Sequence, residues 1–108
     1  MTPPNGVIIV ARLDGEPVGC GVLKRLDAGI GEIKRVWVSS SARGMGVASR
    51  LMDKLEQFGR EKGYTLLRLD TNKALTEAHA LYRKLGYRDI ERYNDNPYAA
   101  RWFGKDLA

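Results

Sequence analysis

Apolar and polar positions alternate between two periods along this chain. Val7 to Leu13 is rich in β-branched residues and reads as a strand. Asp14-Gly15 ends it with a hairpin signal. Pro17 to Leu26 forms the second strand, where Gly19 and Gly21 predict a bend or a close neighbour. Asp27-Ala28-Gly29 turns the chain, and Ile30 to Val38 is a third strand. The period then changes. From Arg43 to Lys62, Val47, Leu51, Leu55 and Phe58 lie on one helical stripe, widened by Ala48 and Met52. Gly63 suits the left-handed position that ends such a helix.

Thr65 to Asp70 is a short apolar strand, expected at the sheet centre and parallel to the third. Thr76 caps a second helix that runs to Leu85 and stops at Gly86, with Ala78, Leu81, Tyr82 and Leu85 facing inward. Tyr87 to Tyr93 and Ala100 to Leu107 complete the chain as strands around the turn Asn94-Asp95-Asn96-Pro97. The order βββαβαββ predicts an α/β fold with a mixed central sheet and two main helices.

Length and composition narrow the class. A chain of 108 residues with 44% hydrophobic positions builds one domain with one core. No apolar run approaches the ~18 residues of a membrane span. Met1 to Gly6 lacks the charged-then-apolar pattern of a secretory signal. Cys20 is the sole cysteine, so no disulfide closes within the chain, and its apolar setting predicts a buried thiol. A cytoplasmic protein without membrane contact is expected. One His and one Cys cannot build a transition-metal site, so no metal is expected. The net charge of +5 invites a nucleic-acid reading, but the Lys and Arg residues are dispersed, with no basic run. A polyphosphate ligand accounts for the balance equally well.

The densest chemical signal is Arg43-Gly44-Met45-Gly46-Val47-Ala48, between Val36-Trp37-Val38 and the first helix. A helix start presents backbone N–H groups without intrahelical partners at the positive end of the helix dipole. Glycines let an anion approach that backbone, and Arg43 adds a cation. A plain strand-to-helix turn is the competing reading. A P-loop is excluded, because Gly46 is followed by Val47-Ala48 rather than Lys-Ser/Thr. A dinucleotide fingerprint fits poorly: Ser49 replaces its third glycine, and Ser39 to Ala42 intervene after the strand.

Arg43-x-x-Gly46-x-Ala48 resembles the Q/R-x-x-G-x-G/A pyrophosphate motif of the GNAT N-acetyltransferase family. Downstream, Ala78 to Tyr87 is similar to the family's A-x-x-L-Y-x-x-x-G-F/Y helix. The resemblance runs from about Gly6 to the C-terminus. It implies an acyl-CoA N-acyltransferase-like fold, acetyl-CoA as cosubstrate, and direct transfer of an acetyl group to a primary amine on a small molecule or peptide. It also implies that the main chain of Val36, Trp37 and Val38 pairs with the pantetheine arm as an added strand would. The diphosphate would lie on Arg43, Gly44, Met45, Gly46, Val47 and Ala48, and Asn72 would hydrogen-bond the pantetheine.

By the same resemblance Glu32, four residues before Val36, is the candidate base, and Tyr82 is the candidate acid for the departing thiolate. A phenol with an ordinary pKa of ~10 can protonate a thiolate of pKa ~8.5. The plainer readings are a solvent-facing cross-strand partner for Glu32 and a packing ring for Tyr82. His79 is expected on the surface. Asp95, Asn96 and Tyr98 either edge the acceptor site or form a simple turn. Family members place a strand and one or two helices before the first hairpin, and this chain resembles a minimal or shortened member. An open acceptor side, exposed apolar sheet surface and a homodimer are therefore expected. The alternatives are a non-catalytic acyl-CoA-binding module and a small basic nucleic-acid binder.

Overall fold

The computed structural model describes residues 6–42, 44–72 and 76–107. Strand β1 (Gly6–Leu13) turns at Asp14 and Gly15, both at positive φ, into β2 (Glu16–Asp27). Strand β3 (Ile30–Val38) follows, and a short 3-10 turn over Ser40–Ala42 leads toward helix α1 (Val47–Glu61). Strand β4 (Leu66–Asn72), helix α2 (Thr76–Lys84), strand β5 (Arg88–Asp89) and strand β6 (Ala99–Asp106) complete the order. The sheet order is β1-β2-β3-β4-β6-β5. All pairings are antiparallel except β3 with β4, which is parallel as the sequence predicts.

Both helices lie on one face of this sheet. Leu23, Ile33, Leu67, Leu69 and Phe103 of the strands meet Met52 and Leu55 of α1 and Tyr82 of α2 in one core. Helix α1 sits close because β2 offers no side chain beneath it. A Cβ at Gly19 would lie 2.9 Å from the Trp37 carbonyl oxygen and 3.0 Å from Val47 and Leu51. The close neighbour expected at Gly19 is thus the N-terminal turn of α1. At Gly21 it is Leu55, 2.9 Å from a built Cβ.

Several expectations are corrected. Helix α1 begins at Val47 rather than Arg43, because residues 44–46 form a turn. Its buried stripe is Leu51, Met52, Leu55, Glu56 and Gly59, so Phe58 lies on the exposed side. The stripe is rotated because Gly59 admits the sheet closely, with Leu107 at 3.1 Å and Leu67 at 3.4 Å from a built Cβ. Glu56 is buried but compensated. It accepts from Tyr87 Oη at 3.0 Å and from Lys105 Nζ at 2.9 Å. Burial and the Glu56 carboxylate push the Tyr87 phenol up.

Helix α2 begins at Thr76, whose side chain, with the capping role expected of it, lies outside the described residues. The strand expected over Tyr87–Tyr93 shortens to Arg88–Asp89, because the chain from Ile90 leaves the ladder and crosses the helix-free face. Gly104 makes room for this crossing: a built Cβ there would lie 3.2 Å from Ile90 Cγ2. That face also carries exposed Ile8 (62%) and Trp37 (51%), the exposed apolar surface the sequence anticipates. Among the described residues, no helix is long and apolar enough to cross a membrane.

Candidate functional site

The parallel ladder between β3 and β4 is short. It pairs Ile30, Gly31, Glu32 and Ile33 with Leu66, Leu67, Arg68 and Leu69, and goes no further. Beyond it, β3 stays with β2 through Trp37 and Val38, while β4 stays with β6 through Asn72. The two central strands therefore part. The edges of Lys34–Val38 and Asp70–Asn72 face an opening in mid-sheet, with no ladder between them.

A bulge sets the direction of the β3 edge. Lys34 pairs with Val22 and Trp37 with Cys20, so β3 holds one residue more than β2 across this stretch. The surplus is taken up at Arg35, whose φ of 55° is left-handed. Such a conformation costs a non-glycine residue roughly 1–2 kcal/mol. The bulge turns Val36 and Val38 toward the helices and Trp37 onto the helix-free face. Cys20, expected to be buried, is instead partly exposed, and its Sγ lies 3.6 Å from the Arg35 carbonyl.

The glycine loop stands at the end of this edge. Gly44 and Gly46 have φ of 81° and 74°. A Cβ built on either would meet nothing within 4 Å, so the space before the loop is open. Gly46 caps α1 with no side-chain hydrogen bond, which leaves the first helical N–H groups without a capping acceptor. The Met45 N–H is already used, donating to the Ala42 carbonyl at 3.3 Å. An anion could meet the amides of Gly46, Val47 and Ala48 there. Arg43, and the grip expected of it, lies outside the described residues.

Glu32 and Tyr82 lie on opposite faces of the sheet. Tyr82 is buried on the helix side, its ring tilted against Phe103 at 5.8 Å and Tyr87 at 6.0 Å. Burial pushes its phenol above the ordinary value. Glu32 is on the helix-free side and only 2% exposed, which corrects the solvent-facing alternative. Lys24 Nζ and Lys34 Nζ each lie 3.5 Å from its oxygens, and Tyr93 Oη donates to it at 2.7 Å. Glu32 is thus a cross-strand partner of Lys24, but a buried and compensated one.

Around Glu32 a polar network covers the open face. Lys34 bridges Glu32 and Asp70, at 3.5 Å from each. Asp70 accepts from Asn94 Nδ2 at 2.6 Å and Asn96 Nδ2 at 3.2 Å, which ties the crossing segment to the sheet. Trp102 Nε1 donates to Asn94 Oδ1 at 3.0 Å. Asn96 therefore does more than turn the chain, whereas Asp95 and Tyr98 point into solvent.

Asn72 ends β4 at the rim of the opening, and its carbonyl lies 3.1 Å from His79 Nε2. The same nitrogen is 2.6 Å from Thr71 Oγ1. His79 is 5% exposed, against the surface position expected. It stands three residues before Tyr82 on the inner face of α2, and Thr71 supplies the polar partner that burial requires. An inward-facing Thr at the end of an apolar strand was the available signal. Tyr93 carried no signal of its own, because its place depends on where the segment from Ile90 crosses the sheet. Among the described residues, no group of His, Cys, Asp and Glu could hold a metal ion.

Comparison with known proteins agrees with this architecture. The profile of the acetyltransferase (GNAT) family matches residues 1–87. An IAA acetyltransferase of Azospirillum brasilense is 37% identical over 90 residues, covering 82% of this chain and 59% of that relative. The chain thus spans less than two thirds of that relative's length. A GNAT-family acetyltransferase structure from Staphylococcus aureus superposes with a TM-score of 0.90 at 23% identity, over 95% of this chain and 69% of the other. A PaiA N-acetyltransferase from Thermoplasma acidophilum, solved with coenzyme A, gives 0.81 at 17% identity, over 94% and 61%. With its β3–β4 opening and its glycine loop at the head of α1, this chain belongs to the acetyltransferase (GNAT) family.

Proposed function

We propose that this protein moves an acetyl group from acetyl-CoA directly to a primary amine on a small molecule or peptide. The parting of β3 and β4 carries this reading, because it leaves a strand edge free for an amide-bearing ligand beside an anion-accepting helix start. The open space before Gly44 and Gly46 fits a diphosphate. Bound there, the thioester supplies an activated acetyl group. Val36, Trp37 and Val38 hold the pantetheine arm by main-chain hydrogen bonds, and Asn72 faces it across the opening.

Glu32 and Tyr82 divide the proton work between the two faces. The amine approaches from the helix-free side, where Glu32 takes its proton. The thiolate leaves on the helix side, where Tyr82 donates one. A phenol raised by burial stays protonated at neutral pH, as this role requires. The exposed Ile8 and Trp37 support a homodimer in which a second copy covers the β1–β3 part of the helix-free face and leaves the acceptor's approach open.

The glycine loop is tested by Gly46→Asn. Asparagine tolerates the left-handed φ better than other side chains, so folding should survive while the side chain fills the anion's space. Calorimetry should show coenzyme A affinity reduced about tenfold or more. Equal affinity for variant and parent would remove the diphosphate from this loop.

Tyr82→Phe should lower kcat by ~10²–10⁴-fold with little change in acetyl-CoA affinity. An unchanged kcat, with chemistry shown to limit turnover, would leave Tyr82 a packing ring.

Glu32→Gln should cut the rate most at low pH, where the amine is protonated and needs a base. The defect should shrink as pH rises and the amine becomes neutral. A loss that is uniform across pH would make Glu32 a positioning group.

Light scattering at micromolar concentration should give twice the 12.1 kDa chain mass. A clean monomer would reject the homodimer and favour a module that binds acyl-CoA with an open acceptor side.

A further inference from the structure

Gly19 and Gly21 let helix α1 press against β2, so the neighbouring β1 overhangs the helix. Between the C-terminal half of β1 and the first two turns of α1 lies a concavity of about 670 Å³. Its floor is apolar, with Ile9, Ala11, Val18, Val47 and Leu51, of which Val18 and Leu51 are buried. It is continuous with the glycine loop, because Met45 of the loop and Val47 at the helix start line it as well.

The rim of this concavity is cationic. Arg50 and Lys54 stand on α1, and Arg12 stands on β1, where its Nη1 donates to the Gly15 carbonyl at 3.4 Å. Among the described residues no carboxylate lies within ion-pair distance of Arg50 or Lys54, although Asp53 shares the rim. Lower on the same helix, Arg60 pairs with Glu56 at 3.8 Å. Like charges one turn apart destabilise a helix, and an anion seated between them offsets that repulsion. Arg50 and Lys54 follow Gly46 by one turn and by two, about 6 and 12 Å along the axis.

Coenzyme A with its diphosphate on the glycine loop carries an adenine and a 3′-phosphate on the ribose beyond it. Its two arms leave from opposite phosphates. With the pantetheine turned to the β3–β4 opening on one flank of α1, the nucleoside is directed to the other flank, beneath β1. We infer that this concavity takes the 3′-phosphoadenosine end of the donor, with the adenine over the apolar floor and the 3′-phosphate between Arg50 and Lys54. The protein then distinguishes coenzyme A from dephospho-coenzyme A. This inference rests on the acetyl-CoA reading for the place of the diphosphate. The choice of flank rests on the cavity and its cations.

The test is calorimetry with coenzyme A and with dephospho-coenzyme A, which lacks only the 3′-phosphate. At low ionic strength wild type should bind coenzyme A roughly tenfold more tightly. The gap should narrow as salt rises, because both cations are exposed. Arg50→Gln and Lys54→Gln should each weaken coenzyme A several-fold and leave dephospho-coenzyme A unchanged, and the double variant should bind the two nearly alike. Arg50→Lys should keep most of the gap, since it keeps the charge. Unchanged affinity for dephospho-coenzyme A also reports that fold and diphosphate site survive each substitution. Equal affinity of wild type for the two ligands, or a gap undiminished in the double variant, would overturn this inference and leave the acetyl-CoA reading intact. Binding of neither ligand to wild type would overturn both.

Discussion

Everything distinctive in this molecule depends on where the parallel ladder between β3 and β4 stops. Four register pairs hold the strands together, ending at Ile33 and Leu69. Past that point each strand is bound on its other side only, β3 to β2 and β4 to β6. A sheet ordinarily avoids this, because unpaired main-chain N–H and C=O groups need partners. The parting is stable because each half is closed by its own antiparallel neighbour. Below it, Leu23, Ile33, Leu67, Leu69 and Phe103 fill the joint against α1 and α2. The bare edges that result are not a flaw in the fold. They differ from the outer edges of β1 and β5 in lying in mid-sheet, between two strands that are paired lower down.

The opening separates two unlike environments. On the helix side, aromatic rings crowd together: Tyr82, Tyr87 and Phe103. On the other side, charge is dense and paired. Glu32 and Asp70 share Lys34, while Tyr93, Asn94 and Asn96 fix them from above. A buried carboxylate without such partners would be costly, and removing one partner from a buried pair typically costs ~3–5 kcal/mol. The network therefore holds its carboxylates in place before any ligand arrives. Preorganised charge of this kind needs little rearrangement when chemistry begins.

The element order was legible in the sequence because periodicity is a local property. The strands of β1 to β3, the amphipathic α1 and the apolar β4 all announce their period within a few residues. Elements whose fate depends on distant neighbours were less so. The stretch after Tyr87 has strand-forming residues, yet only Arg88 and Asp89 pair, because Gly104 on a different strand lets Ile90 cross the sheet instead. The α1 stripe that the sequence pattern runs through Phe58 runs instead through Glu56 and Gly59, because Gly59 has no side chain to mark a period. The Arg35 bulge was invisible for the same reason: register is a relation between two strands, and neither strand records it alone. The sequence around His79 suggests a surface position because its neighbours are charged or small, while its partner Thr71 sits on another element.

The site residues divide along the same line. Glu32, Tyr82 and the glycine loop lie inside local motifs, so their positions were readable one segment at a time. Tyr93 lies in no motif. It meets Glu32 only because the crossing segment lays it over the helix-free face. The motifs therefore position a strand edge and the start of α1. The segment from Ile90 to Asn96 decides which side chains lie over the helix-free face. That segment is tied down by side chains, through Asp70 and Trp102, rather than by a ladder. Side-chain ties can be changed one residue at a time without unmaking the sheet. The helix-free face can thus be altered while the β3–β4 parting and the glycine loop stay fixed.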